Sequence, residues 1–259
     1  MSDSGMEQIW FQEFLRLQRD QQQEVLRQKH KGTSRSVLDH GLVRLVDYMG
    51  SDLSIVRSAR VSYNAEWRTA ENAGKDEKLI NYLIKNRHTS PLECVNFTFE
   101  VKAPIFVYRQ WHRHRTWSYN EISARYAELP EEFYIPKPEH IGRQSTDNKQ
   151  MRVLEENAGL TEQDAQFIRD LQAHSENGFD LYHRHLEAGV PRELARLFLG
   201  LNTYSHMFAS VDLHNLFHFL KLRLHSHAQY EIRVYAEAML ELIEPVVPIA
   251  VKAWKTHCL

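Results

Sequence analysis

Hydrophobic and polar positions alternate most clearly where Val95, Phe97, Phe99 and Val101 interleave with Asn96, Thr98, Glu100 and Lys102. That period predicts a strand with one buried and one wet face. A shorter strand is expected from Leu42 to Tyr48, and Gly50-Ser51 is placed to cap a helix starting near Leu53. Leu79, Ile80, Leu83 and Ile84 follow helical spacing behind the acidic turn Asp76-Glu77, ending near His88 with Pro91 beyond. Pro104 stops the alternating strand and suits the first position of a short helix through Phe106, Val107 and Gln110. Pro130, Pro136 and Pro138 then mark an irregular, extended stretch. Beyond it, Thr161 with Asp164 reads as the capping box of a long helix and Pro191 opens another. Ile232, Tyr235, Met239 and Leu242 stripe a third, as far as Pro245. The class is α+β: a modest, mostly antiparallel sheet packed with helices, and a helical second half. There is no GxGxxG after a strand and no GxxxxGK[ST], so a dinucleotide would be held without a Rossmann motif or P-loop.

Residues 1–36 read as an N-terminal helical extension, with Ile9, Trp10, Phe14 and Leu17 at helical spacing before the breaker Gly32-Thr33-Ser34. A packing arm is favoured over a membrane-surface helix. Residues 37–259 form one domain. Charge changes the picture by exclusion: 32 basic against 34 acidic residues leave no excess cation for binding a nucleic acid polymer. No apolar run approaches the roughly 18 residues of a membrane span, and the two cysteines form no CxxC. A soluble, cytoplasmic protein is expected.

Candidate chemistry concentrates in residues 113–126, which carry Arg113, His114, Arg115, Glu121, Ser123 and Arg125 among three aromatics. Planar guanidinium forks suit phosphate or the carbonyl edge of a pyrimidine, and the aromatics could stack on a flat ring. The competing reading is a structural ion-pair cluster. A single-stranded RNA-binding module is disfavoured by the balanced charge. His214 and His218 have the i,i+4 spacing of zinc ligands, but no glutamate follows His214 as in HExxH, so no metal is assigned.

Arg113-His114-Arg115, seven residues and then Ser123 resembles the signature of flavin-dependent thymidylate synthases. The resemblance runs on through His88 with Pro91, Phe97 to Pro104, Gln110-Trp111 and Ser118 to Tyr126. Later it continues in Gly189 to Glu193 with Arg196, in Leu222-Arg223 and in Ser226 to Gln229. It implies a homotetramer with shared active sites, FAD as cofactor, and dUMP, methylenetetrahydrofolate and NADPH as ligands. Carried over, Gln110, Arg113, Glu121, Ser123, Arg125, Arg196 and Arg223 would hold dUMP. Ser62, Ser90, Arg113, His114, Arg115, Glu121, Asp212, His214 and His218 would contact FAD, and His88 would lie near flavin and folate. Asp212 and His218 stand where some members carry asparagines, which changes the hydrogen-bond polarity there.

The folate-only synthases activate uracil by cysteine attack at C6. Here Cys94 opens a strand and Cys258 is penultimate, so a buried or terminal thiol is expected instead. Ser123 has no evident base partner in its motif. The alternative is electrostatic, a fixed guanidinium against the carbonyl edge of the ring, a role the resemblance gives to Arg223. Eleven residues make about three helical turns, so Asp212 and Arg223 would share one face of a helix.

Overall fold

The computed structural model describes Val25 and residues 29–62, 73–149, 151–154 and 160–259. The helix expected around Ile9 to Leu17 lies outside the described residues. The framework is a five-stranded antiparallel sheet in the order β1-β2-β3-β7-β4, formed by β1 (Ser34–Val37), β2 (Gly41–Met49), β3 (Asn96–Pro104), β4 (Ser118–Glu121) and β7 (Tyr204–Asp212). A separate hairpin pairs β5 (Arg143–Gln144) with β6 (Arg152–Val153). Alternation places Phe97, Phe99, Val101 and Ala103 of β3 in the core. Val43 and Leu45 from β2, and Met207, Ala209 and Val211 from β7, lie there with them.

Two boundaries differ from the sequence reading. Ser34, Arg35 and Ser36, assigned to the extension, pair with Arg44, Val43 and Leu42 and belong to the sheet. The second half is not wholly helical: β7 crosses its middle, between β3 and the edge strand β4. Gly41 turns the chain from β1 into β2 where the Tyr235 hydroxyl and the Val37 carbonyl come so close that a Cβ would not fit.

Helices cover one side of this frame: α1 (Asp52–Val61), α2 (Ala73–Lys85), α3 (Ile105–Trp111), α6 (Leu213–Arg223), α7 (Tyr230–Ile243) and α8 (Pro248–Cys258). The long α4 (Glu162–Glu187) packs with the short α5 (Arg192–Ala195) around a smaller core of Phe179, Tyr182 and Ala195. Thr161 Oγ1 accepts the Asp164 amide at 3.2 Å, the predicted cap of α4. Pro104 serves as the N-cap of α3 rather than its first residue.

Asp52 ties the start of α1 to the start of α8, its carboxylate accepting the amides of Ile249 and Ala250 at 2.9 Å each. Burial pushes its carboxyl up to about 6, against the pull of those two donors. Asp52→Ala leaves both amides of α8 unpaired and is expected to cost about 1–2 kcal/mol. Asp52→Asn keeps one acceptor but turns an NH2 toward the second amide, so chemical denaturation should find it destabilised by a similar amount.

Candidate active site

Aromatic packing sets the Arg113–Arg115 segment in place. Trp111 at the end of α3 is fully buried, stacked on Phe219 of α6 with centroids 4.9 Å apart, and Trp117 closes on the same ring at 5.1 Å. Burying each such ring is worth roughly 1.5–3 kcal/mol. The five residues between the two tryptophans are therefore pinned at both ends. Tyr119 adds a clasp, donating its hydroxyl to the His114 carbonyl at 2.9 Å and the Trp111 carbonyl at 3.2 Å.

Within that turn His114 points inward and its neighbours outward. His114 is 7% exposed, edge-on to Phe219 at 4.9 Å and 6.0 Å from the His218 ring. Its Nε2 accepts Arg223 Nε–H at 3.1 Å, so the ring proton resides on Nδ1. Desolvation, then the nearby Arg223 and His218 charges, lower its pKa to about 4. Arg113 and Arg115 are exposed and have no ion-pair or hydrogen-bond partner among the described residues.

Arg223 ends α6, where a cation also complements the helix C-terminus. Besides His114, its Nη2–H donates to the Gln110 carbonyl at 3.1 Å. Both acceptors are neutral, and no carboxylate takes a bond from this guanidinium among the described residues. Burial disfavours its charged form, a cost that an anion beside it would offset. Asp212, at the other end of α6, is occupied as the helix cap, accepting the Asn215 amide at 2.9 Å and its side-chain amide at 2.6 Å.

The remaining dUMP candidates are Glu121, Ser123, Arg125 and Arg196. Glu121 at the end of β4 accepts Ser205 Oγ–H at 2.6 Å. The Ser123 hydroxyl accepts the Arg125 amide at 3.3 Å inside a turn, with no base beside it. Arg125 donates to the Tyr126 hydroxyl at 3.0 Å, and Arg196 donates to its own helix at the Glu193 carbonyl, 3.2 Å away. Arg192 forms a surface ion pair with Glu128 at 3.4 Å. No hydrogen bond, ion pair or ring contact joins this group to Arg223 among the described residues.

The FAD candidates His214 and His218 line a cavity of about 420 Å³ between α6, α8 and the end of α2. Its walls include Leu92, Phe217 and Trp254, with the cations Lys85, Arg87 and Lys221 at hand. Apolar walls beside cations suit a flat ring system carrying a diphosphate, so these residues fit a flavin dinucleotide. Arg87, Lys221, His257 and Cys258 were not expected here. Arg87 has φ +57, because it closes α2 through the His88 amide bonding to the Leu83 carbonyl at 2.8 Å. That turn leaves His88 exposed, edge-on to Tyr82 at 5.5 Å, with Ser90 two residues on and exposed as well. Ser62 ends α1 beside residues outside the description.

Cys94 lies in a 3-10 turn ahead of β3 and is exposed, correcting the buried strand position expected of it; its Sγ–H meets Ser58 Oγ at 3.2 Å. Neither thiol contacts Arg223, Gln110 or Ser123 among the described residues. No group of three metal-ligating side chains, and no helix long and apolar enough to cross a membrane, occurs among them.

Comparison with known proteins meets this geometry from outside. A family model described as thymidylate synthase complementing protein matches residues 44–249. A flavin-dependent thymidylate synthase of Ehrlichia ruminantium (strain Gardel) is 48% identical over 238 residues, covering 92% of this chain and 76% of its own. One from Treponema denticola is 51% identical over 223 residues, covering 85% and 81%. Among solved structures, a UMP/dUMP methylase from Streptomyces cacaoi bound with 5-Br dUMP superposes with a TM-score of 0.77. It is 37% identical and covers 86% of this chain and 98% of its own. The family match spans β3, β4 and β7, the pinned Arg113–Arg115 turn and the helix that presents Arg223, and the chain belongs to the flavin-dependent thymidylate synthase family.

Proposed function

We propose that this chain catalyses the reductive methylation of dUMP to dTMP, with methylenetetrahydrofolate as one-carbon donor and NADPH as source of reducing equivalents. The observation that carries the reading is Arg223: a half-buried guanidinium, aimed by two neutral acceptors and without a counter-anion among the described residues. Set against the carbonyl edge of uracil, it stabilises negative charge on the ring, favours ionisation at N3 and makes C5 nucleophilic without a covalent bond to the enzyme. That neither thiol contacts Arg223 or Gln110 among the described residues, and that none of these residues sets a base beside Ser123, agrees with that route.

FAD, when bound, supplies the hydride that completes the methyl group. His214 and His218 would hold it in the cavity beside α6, where Lys85, Arg87 and Lys221 offer cations to its diphosphate, and the exposed Arg113 and Arg115 would add to them from the turn before β4. Gln110 and Arg223 would take the nucleotide. Glu121, Ser123, Arg125 and Arg196 would complete a dUMP site from a neighbouring subunit of a homotetramer. Support for that last point comes from the lack of contact between the two groups and from apolar side chains exposed around the second, Tyr126 at 77% and Leu197 at 76%.

The test is spectroscopic. The purified protein, as isolated or after incubation with FAD, is expected to show the visible band of an oxidised flavin. Anaerobic NADPH should bleach that band faster when dUMP is present. A colourless protein that FAD cannot reconstitute would overturn the reading.

A further inference from the structure

Beneath Gln110 lies a carboxylate that no motif assignment reaches. Glu231, in the first turn of α7, is 2% exposed. Its Oε1 accepts from Arg152 Nη2 at 2.8 Å and from the Tyr134 hydroxyl at 3.1 Å, and its Oε2 accepts from Gln229 Nε2 at 2.8 Å. A carboxylate paired with arginine only accepts, so Gln229 must turn its NH2 toward it. That leaves Gln229 Oε1 facing away, where it accepts from Gln110 Nε2. One N–H of Gln110 is taken by that bond, and its Oε1 has no partner among the described residues. Flipping either amide would set oxygen against oxygen or NH2 against NH2 along the chain.

We propose that Glu231 and Gln229 form a relay that fixes the amide of Gln110, so that Gln110 turns its Oε1 acceptor toward the nucleotide. Both are positioning residues; only Gln110 touches ligand. This rests on the reading of Gln110 as a dUMP contact. The complementary ligand group is an N–H or O–H donor. Outside its phosphate, dUMP has two, the 3′-hydroxyl and N3–H.

Calorimetric binding to the flavin-loaded enzyme separates these. The probes are dUMP, its 3′-deoxy analogue and its N3-methyl analogue. Wild type should bind dUMP, and one analogue should bind about tenfold more weakly, the size of one lost hydrogen bond at a site left with an unpaired acceptor. Whichever analogue it is names the donor. Gln229→Met keeps the length of the side chain but removes the relay, and Glu231→Gln lets both amides flip; each should reduce that discrimination to about twofold or less. Gln110→Ala should abolish it, and adding Gln229→Met to Gln110→Ala should change nothing further.

Unchanged discrimination in Gln229→Met or Glu231→Gln would overturn the relay alone, as would additive effects in the double variant. Gln229 is exposed, so its variant keeps the test available even where Glu231→Gln fails to fold. Wild-type enzyme that binds no dUMP would overturn the functional reading and the relay together.

Discussion

Arg223→Ala is expected to retain FAD while dTMP formation falls by about 10²–10³-fold in kcat, the usual cost of deleting one group aimed at developing charge. The flavin should stay because the candidate FAD cavity is lined by His214, His218 and Lys221 and does not include Arg223. The nucleotide chemistry should go because no other guanidinium among the described residues bonds to His114 Nε2 and the Gln110 carbonyl. The cations in the adjoining turn, Arg113 and Arg115, face outward from a segment locked between Trp111 and Trp117. Arg223→Lys refines the test. An ammonium restores the charge but not a rigid fork able to hold His114 and Gln110 while presenting a free N–H to the ring. It should recover only part of kcat, measured by tritium release from C5-labelled dUMP under saturating folate and NADPH. Wild-type turnover in Arg223→Ala would sink the activation role, and loss of flavin along with turnover would recast Arg223 as a structural residue.

The sequence exposes the parts of this fold whose periodicity is undiluted. β3 is legible because every inward position is apolar and every outward one polar, and α7 because Ile232, Tyr235, Met239 and Leu242 keep one stripe. β7 escapes because its buried face is built from Ser205, Met207, Ala209 and Val211 while Phe208 points outward, so the contrast between its faces is weak. β1 reads Ser-Arg-Ser-Val and has almost no apolar content; pairing with β2, not patterning, makes it a strand.

The site divides in the same way. Arg113 to Ser123 is visible as a dense run of chemistry, whereas the bonds that organise it are long-range. Arg223 to His114 and Gln110 to Gln229 each join residues more than a hundred positions apart, and no spacing rule reaches that far. The burial of His114 shows only once Phe219 is stacked on Trp111, since its flanking arginines advertise a surface. Its sequence neighbours thus suggest a cofactor contact, while its atoms hold Arg223.

That burial makes His114 the source of an acid-sensitive stability. Its pKa in the fold is about 4, against about 6.5 for an exposed histidine. Between those values the unfolded chain binds a proton that the folded one refuses, so unfolding free energy rises with pH across the window. The contribution is complete above pH about 6.5, declines as pH falls toward 4, and is gone below, amounting to about 3 kcal/mol over the whole range. The physical reason is local. Protonation turns Nε2 from acceptor to donor and sets a cation against the Nε–H of Arg223, with Phe219 and Trp117 keeping water from screening the pair. Urea denaturation at several pH values should show this slope in wild type. His114→Gln, which can still accept from Arg223 through its amide oxygen but does not titrate, should lose about that part of it, while carboxylates elsewhere titrate alike in both proteins and cancel in the difference. Equal slopes in the two proteins would mean that His114 is solvated in the folded state and that Arg223 is aimed by Gln110 alone.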